Sequence, residues 1–168
     1  MPVFIKCRNS KTKKTTICCM LGPFWPMLCM VTIPMVVGIS CAITFGTMIG
    51  RPLGWQITFL VFAFFTLACL LCTAFSDPGL LRRAGGVDAP VTADGQLWRF
   101  DRRANSYKPP GAEYCPDCNV VIEEFDHTCP WTGTGIGKKN LKFFYGFLTS
   151  CCCGIGFTMV TALFAGNA

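Results

Sequence analysis

Two groups of reactive side chains share one short run of this 168-residue chain: Cys115-Pro116-Asp117-Cys118, and further on Asp126-His127-Thr128-Cys129-Pro130-Trp131. A cysteine thiolate attacks thioesters, and an imidazole two residues away can take the thiol proton and, as imidazolium, favour the thiolate. Cys129 is therefore the candidate nucleophile and His127, the single histidine of the chain, its base. Asp126 can fix the imidazole tautomer as the third member of a triad does. Taken one at a time these residues have plainer roles, as a buried thiol, a core histidine and a capping aspartate. Their combination favours catalysis.

Cys115 and Cys118 have the two-residue spacing of a thiolate knuckle in structural zinc sites. A tetrahedral site improvised from Cys115, Cys118, His127 and Cys129 competes with the catalytic reading, because it would consume the nucleophile. His-x-Cys is tighter than common ligand spacings, which argues against it.

The elements that must position these groups are apolar. With 52% hydrophobic and only 14% charged residues, the composition points away from an ordinary soluble domain. No charged residue lies between Lys14 and Arg51, between Arg51 and Asp77, or from Gly146 onward. About 20 residues span a bilayer core, so transmembrane helices are expected near residues 26–48, 53–75 and 143–165. A helical hairpin buried in a soluble protein is the alternative, but helices apolar on every face need lipid or a much larger core. Pro34 predicts a kink in the first span, and Trp25 and Trp55 suit headgroup-level positions at helix ends.

Lys6, Arg8, Lys11, Lys13 and Lys14 precede the first span, whereas the turn after it carries only Arg51. The expected topology therefore has a basic cytoplasmic N-terminus (1–25), a transmembrane hairpin (26–75), a cytoplasmic loop (76–142) whose cysteine-rich part is 114–142, and a third span with the C-terminus (143–168). The loop holds all 9 acidic residues and the remaining basic ones. The net charge of +6 thus belongs to the N-terminal run and Arg51, which suits anionic lipid rather than nucleic acid. The apolar region is too long for a cleaved signal peptide and reads as an uncleaved signal anchor. The 13 cysteines lie mostly in spans or on the cytoplasmic side, where thiols stay reduced. Cys18 and Cys19 are placed for S-acylation next to the membrane, and Cys151, Cys152 and Cys153 for packing. Pro90, Pro109, Pro110 and nearby glycines break any long helix in the loop, with a short helix or strand expected around residues 97–100. The fold class expected is an all-α integral membrane protein with a small irregular cysteine-rich domain between helices two and three.

The run Phe125-Asp-His-Thr-Cys-Pro-Trp131, the preceding Cys-x-x-Cys, Gly137-x-x-Asn140 and Ser76-Asp-Pro-Gly79 resemble the cysteine-rich domain and the DPG motif of DHHC protein S-acyltransferases (palmitoyltransferases). The resemblance implies a membrane enzyme of the Golgi, ER or plasma membrane. It would take the acyl group of fatty acyl-CoA (palmitoyl-CoA) onto Cys129 and pass it to a membrane-proximal cysteine of a substrate protein. Lys138 and Lys139 then become candidate contacts for the CoA phosphates, or a positive flank of the third span.

The resemblance is incomplete. Thr128 replaces the second histidine of Asp-His-His-Cys, a zinc ligand in the family, and Gly135 replaces a ligand cysteine. Cys115 and Cys118 are the remnant of one site; at the other, Val121 and Tyr114 stand where ligands would be. Zinc is therefore doubtful. Structural zinc contributes about 10–16 kcal/mol in small peptide domains, so contacts among Phe125, Trp131, Ile136 and the membrane helices are expected to replace it. The family's fourth helix and downstream Thr-Thr-x-Glu are absent from these residues, which suggests a C-terminally truncated member. The rival functions are a catalytically inactive membrane adaptor or enzyme fragment, and a membrane metal-binding module built on the Cys-x-x-Cys pair.

Overall fold

The structure, a computed structural model, describes residues 3–8, 15–81, 95 and 97–165. Lys11, Lys13, Lys14 and nearly all of the Gly- and Ala-containing 82–95 stretch lie outside the described residues.

Three helices are long and apolar enough to cross a membrane: α1 (Trp25–Met48), α2 (Leu53–Phe75) and α3 (Leu141–Ala165). They coincide closely with the charge-free intervals. In α1 the turn Leu28–Thr32 is widened to a π-type turn just before Pro34, where proline cannot donate a backbone hydrogen bond. A second π-type turn, Thr44–Met48, ends the helix. Gly50, at φ 86, then reverses the chain. Ser40, Thr44 and Thr47 donate to the carbonyls of Val36, Ser40 and Ile43, so these hydroxyls carry no unmet hydrogen bond into an apolar setting.

Helices α2 and α3 pack through small residues. A Cβ on Gly146 would come within 3.0 Å of Cys69 Sγ, and Thr66 meets Ser150 through a buried hydroxyl pair 2.5 Å apart. Without a hydrophobic drive between helices in lipid, such close approach and polar pairing hold spans together. The outward faces keep Met30, Phe45 and Phe64 more than 70% exposed, as a lipid-covered surface requires.

The all-α expectation fails outside the spans. The chain there is built from antiparallel hairpins: β1 (Val3–Arg8) with β2 (Thr15–Leu21), β3 (Arg99–Asp101) with β4 (Ser106–Lys108), β5 (Glu113–Cys115) with β6 (Val120–Ile122), and β7 (His127–Cys129) with β8 (Thr134–Ile136). Within the N-terminal segment expected as a basic cytoplasmic stretch, residues 3–8 and 15–21 are thus paired strands, and residues 99–101 form a strand. Six of these strands are three residues long, too short to print a period-2 pattern against the background of the loop. Turn residues set them apart: Asn105, Gly111, Asn119 and Gly133 all adopt positive φ.

The Asp77-Pro78-Gly79 segment carries the chain from α2 into this domain. Leu81 donates to the Val121 carbonyl at 2.9 Å and Glu123 to that of Gly79 at 2.9 Å, so the segment runs as a partner beside β6.

Candidate functional site

The site follows from strand alternation in one hairpin. In β7, His127 and Cys129 point to one face and Thr128 to the other. The register pairs His127 with Ile136, Thr128 with Gly135 and Cys129 with Thr134. One face of the β7–β8 hairpin therefore holds the nucleophile and base candidates, and the other holds Thr128 and Gly135.

On the first face, Cys129 is buried with Ile136 and Phe144, and Leu141 packs beside them. Phe144 lies in the first turns of α3, so the thiol sits where the hairpin meets that span. The His127 ring stands edge-on to Phe144 with centroids 5.2 Å apart. Its Nδ1 lies 3.3 Å from Asp126 Oδ2, and the Asp126 backbone N–H donates to the Ile136 carbonyl at 3.0 Å. His127 is 42% and Asp126 51% exposed, while Cys129 is 6% exposed, so the base is open to solvent and the thiol is sheltered.

Two contacts hold this hairpin against the spans. Its turn abuts the start of α1: Phe24 donates to the Gly133 carbonyl at 3.2 Å, and a Cβ on Gly22 would lie only 2.1 Å from that oxygen. Gly133, at φ 76, leaves a Cβ just 3.1 Å from Leu28 Cβ. A side chain at Gly22 would have to move backbone, and one at Gly133 would crowd Leu28 from a left-handed backbone. The second contact is Asn140, fully buried, whose Nδ2 donates to Gly135 and Thr73 carbonyls at 3.0 and 3.3 Å while its Oδ1 accepts from Gly137 N–H at 2.9 Å. One side chain thus ties β8, the end of α2 and the start of α3. Gly137-x-x-Asn140 was visible as a motif, but the role of Gly22 was not, since nothing local links it to Gly133.

On the opposite face, Cys115 Sγ lies 3.3 Å from Thr128 Oγ1 and accepts the Cys118 N–H at 3.3 Å. Both sulfurs are buried in a cluster with Ile122, against which Leu80, Val120 and Phe125 pack. The hydrogen bond from the Cys118 thiol, assisted by Thr128 and opposed by desolvation, holds the Cys115 thiol below its ordinary range. That same hydrogen bond, together with burial, pushes Cys118 strongly upward.

These residues do not fit a tetrahedral zinc site. Two sulfurs are present, Thr128 offers a neutral hydroxyl and Gly135 offers no donor. Among the described residues no three His, Cys, Asp or Glu side chains converge on one point. The improvised set is divided as well, with Cys115 and Cys118 on the Thr128 side and His127 and Cys129 on the other. Trp131, expected among the contacts replacing zinc, is 49% exposed; Ile122 is buried there instead.

Lys138 and Lys139 are both ion-paired. Lys138 Nζ lies 2.8 Å from Glu124 Oε1, and Lys139 Nζ 2.8 Å from Asp77 Oδ2. Asp77 Oδ1 accepts from Gly79 and Leu80 N–H at 2.9 and 2.8 Å. Burial pulls the Asp77 carboxyl upward, but those two N–H groups and the Lys139 ammonium outweigh it and hold the group below its ordinary value.

Comparison with known proteins places relatives over the same part of the chain. A family model described as DHHC palmitoyltransferase matches residues 96–166. Human palmitoyltransferase ZDHHC18 is 32% identical over 111 residues, covering 52% of this chain and 29% of that protein. Mouse palmitoyltransferase ZDHHC14 is 35% identical over 114 residues, covering 52% of this chain and 23% of the relative. Probable protein S-acyltransferase 7 of Arabidopsis thaliana is 30% identical over 117 residues, covering 54% of this chain and 26% of the relative. The aligned region thus spans less than a third of each relative.

Proposed function

We propose that this chain, a member of the DHHC palmitoyltransferase family through residues 96–166, transfers a fatty acyl group from acyl-CoA to a protein cysteine by way of an acyl-enzyme on Cys129. In the first step His127 takes the Cys129 thiol proton and the thiolate attacks the thioester carbonyl; the bond to CoA breaks and CoA leaves as a thiol on regaining the proton. In the second, the thiol of a membrane-proximal cysteine on the substrate protein attacks the new thioester and Cys129 is released. Asp126 orients the imidazole and stabilises its protonated form. The observation that carries this reading is the placement of His127 and Cys129 on one face of β7, against Phe144 at the start of α3. A thiol at that junction can meet a headgroup-level thioester whose chain lies in the bilayer.

The N-terminus and the hairpin domain lie on the cytoplasmic side in this reading, as the basic flank of α1 favours. Protease applied from the cytoplasm should reach a tag at the N-terminus and one near Gly86; lumenal protection of either contradicts that topology. Lys138 and Lys139 would serve CoA phosphates only by exchanging Glu124 and Asp77 for them. Palmitoyl-CoA is the proposed donor, and the bilayer and the substrate protein are the proposed partners.

The test uses a background with Cys18 and Cys19 changed to Ala. Clickable palmitoyl-CoA should leave hydroxylamine-labile label that Cys129→Ala removes and that His127→Ala slows by about 10²-fold or more. Label unaffected by Cys129→Ala would refute the assignment.

A further inference from the structure

The residues that cannot hold zinc are arranged as though they should. Thr128 and Gly135 are cross-strand partners on the face turned toward Cys115 and Cys118. Thr128 Oγ1 lies 3.3 Å from Cys115 Sγ, and a Cβ built on Gly135 would lie 3.6 Å from Cys118 Sγ. Four positions therefore surround one point, with sulfur at only two of them. The side of that point facing Gly135 is filled: its Cβ would also meet Ile122 Cδ1 at 2.9 Å and Phe125 Cε2 at 3.7 Å. Ile122 is fully buried.

The second region, where the family resemblance puts ligand positions at Val121 and Tyr114, is also apolar. Val121, fully buried, clusters with Ala104 and Ala112, and Leu81 and Tyr114 pack on them. Tyr114 donates its hydroxyl to Asn119 Oδ1 at 2.9 Å and carries the Arg103 guanidinium 4.4 Å above its ring. A ring between a cation and a small apolar cluster is a stable packing unit without a metal.

We infer that this domain folds without metal, Ile122 with Phe125 closing one position and Val121 with Tyr114 the other, and that Thr128→His with Gly135→Cys would restore a tetrahedral zinc site around Cys115 and Cys118. Hairpin geometry is what makes the restoration reachable. Both substitutions fall on adjacent strands of one short ladder, and the one close contact, Ile122 Cδ1, is the end of a flexible side chain. The inference is independent of the chemistry of Cys129, because its readouts are metal content and proteolysis.

The experiment uses the full chain purified in detergent. The unsubstituted protein should carry well below one zinc per chain by elemental analysis, and a strong chelator should leave the proteolysis rate of residues 97–142 unchanged. Ile122→Ala should raise that rate by at least about tenfold, since the plug is the support removed. The Thr128→His/Gly135→Cys protein should bind one zinc, show the visible absorption of tetrahedral thiolate-bound cobalt when cobalt replaces zinc, and lose both on adding Cys115→Ser. Stoichiometric zinc in the unsubstituted chain with proteolysis triggered by chelation would overturn the inference. So would an unchanged proteolysis rate in Ile122→Ala, or a folded double variant that binds no metal. Should the double variant not fold, the chelation and Ile122→Ala measurements still decide the matter.

Discussion

The hairpins β5–β6 and β7–β8 are nearly the same size, both carry cysteines and both are joined by a tight turn, yet they set their thiols among different neighbours. In β5–β6 the sulfurs of Cys115 and Cys118 face inward and are sealed by Ile122, so they act as core. In β7–β8 the sheltered Cys129 shares its face with a histidine that is 42% exposed, and the hairpin is fastened to all three spans. Thiol type does not distinguish them. What differs is the neighbour two residues along the strand and the surface against which the hairpin is docked.

The largest expected disturbance of that docking is loss of Asn140. Asn140→Ala strands the Gly135 and Thr73 carbonyls and the Gly137 N–H in a buried place, at about 1–3 kcal/mol for each group left without a partner. Thermal unfolding should fall clearly and acyl labelling with it; an unchanged melting temperature would show that the staple contributes nothing.

Gly22→Ala comes next. Its Cβ meets backbone rather than a movable side chain, so the β7–β8 turn must shift, at roughly 1–3 kcal/mol. Labelling of Cys129 should drop by more than the change in stability predicts, while chelator resistance of the β5–β6 region stays the same. Equal effects on both hairpins would erase the contrast between them.

Acid should separate the regions less strongly. The folded carboxyl of Asp77 is held below its unfolded value of about 3.9, so its contribution is present above that pH and is lost as pH falls through the folded value. Asp77→Asn should therefore destabilise at pH 7, with the deficit shrinking on acidification. A deficit that is constant with pH would assign the effect to packing instead. Smallest of all is Lys138→Ala, which removes a solvent-exposed ion pair and should leave the melting temperature almost unchanged.

How far the sequence shows all this depends on the region. The spans were legible because charge is absent over long intervals, and near Pro34, where a kink was expected, the helix carries a widened turn. The hairpins were not, since three residues between turns carry almost no periodic signal. Once β7 is known to be a strand, the division of His127 and Cys129 from Thr128 follows from alternation alone. The apolar plug could not be read, because Ile122 and Phe125 look like ordinary loop hydrophobics until Gly135 is brought against them. The Gly22–Gly133 contact joins residues far apart in sequence, so neither glycine announces the other.

The central claim is that Cys129, and not the sealed pair, carries the acyl group. It is tested most directly by incubating the Cys18→Ala/Cys19→Ala protein with palmitoyl-CoA and locating the thioester by fragment mass spectrometry that separates Cys129 from Cys115 and Cys118. The account predicts a palmitoyl thioester on Cys129 and unmodified Cys115 and Cys118. A thioester on Cys115, or a Cys129 that stays unmodified while label accumulates elsewhere in the chain, would contradict it.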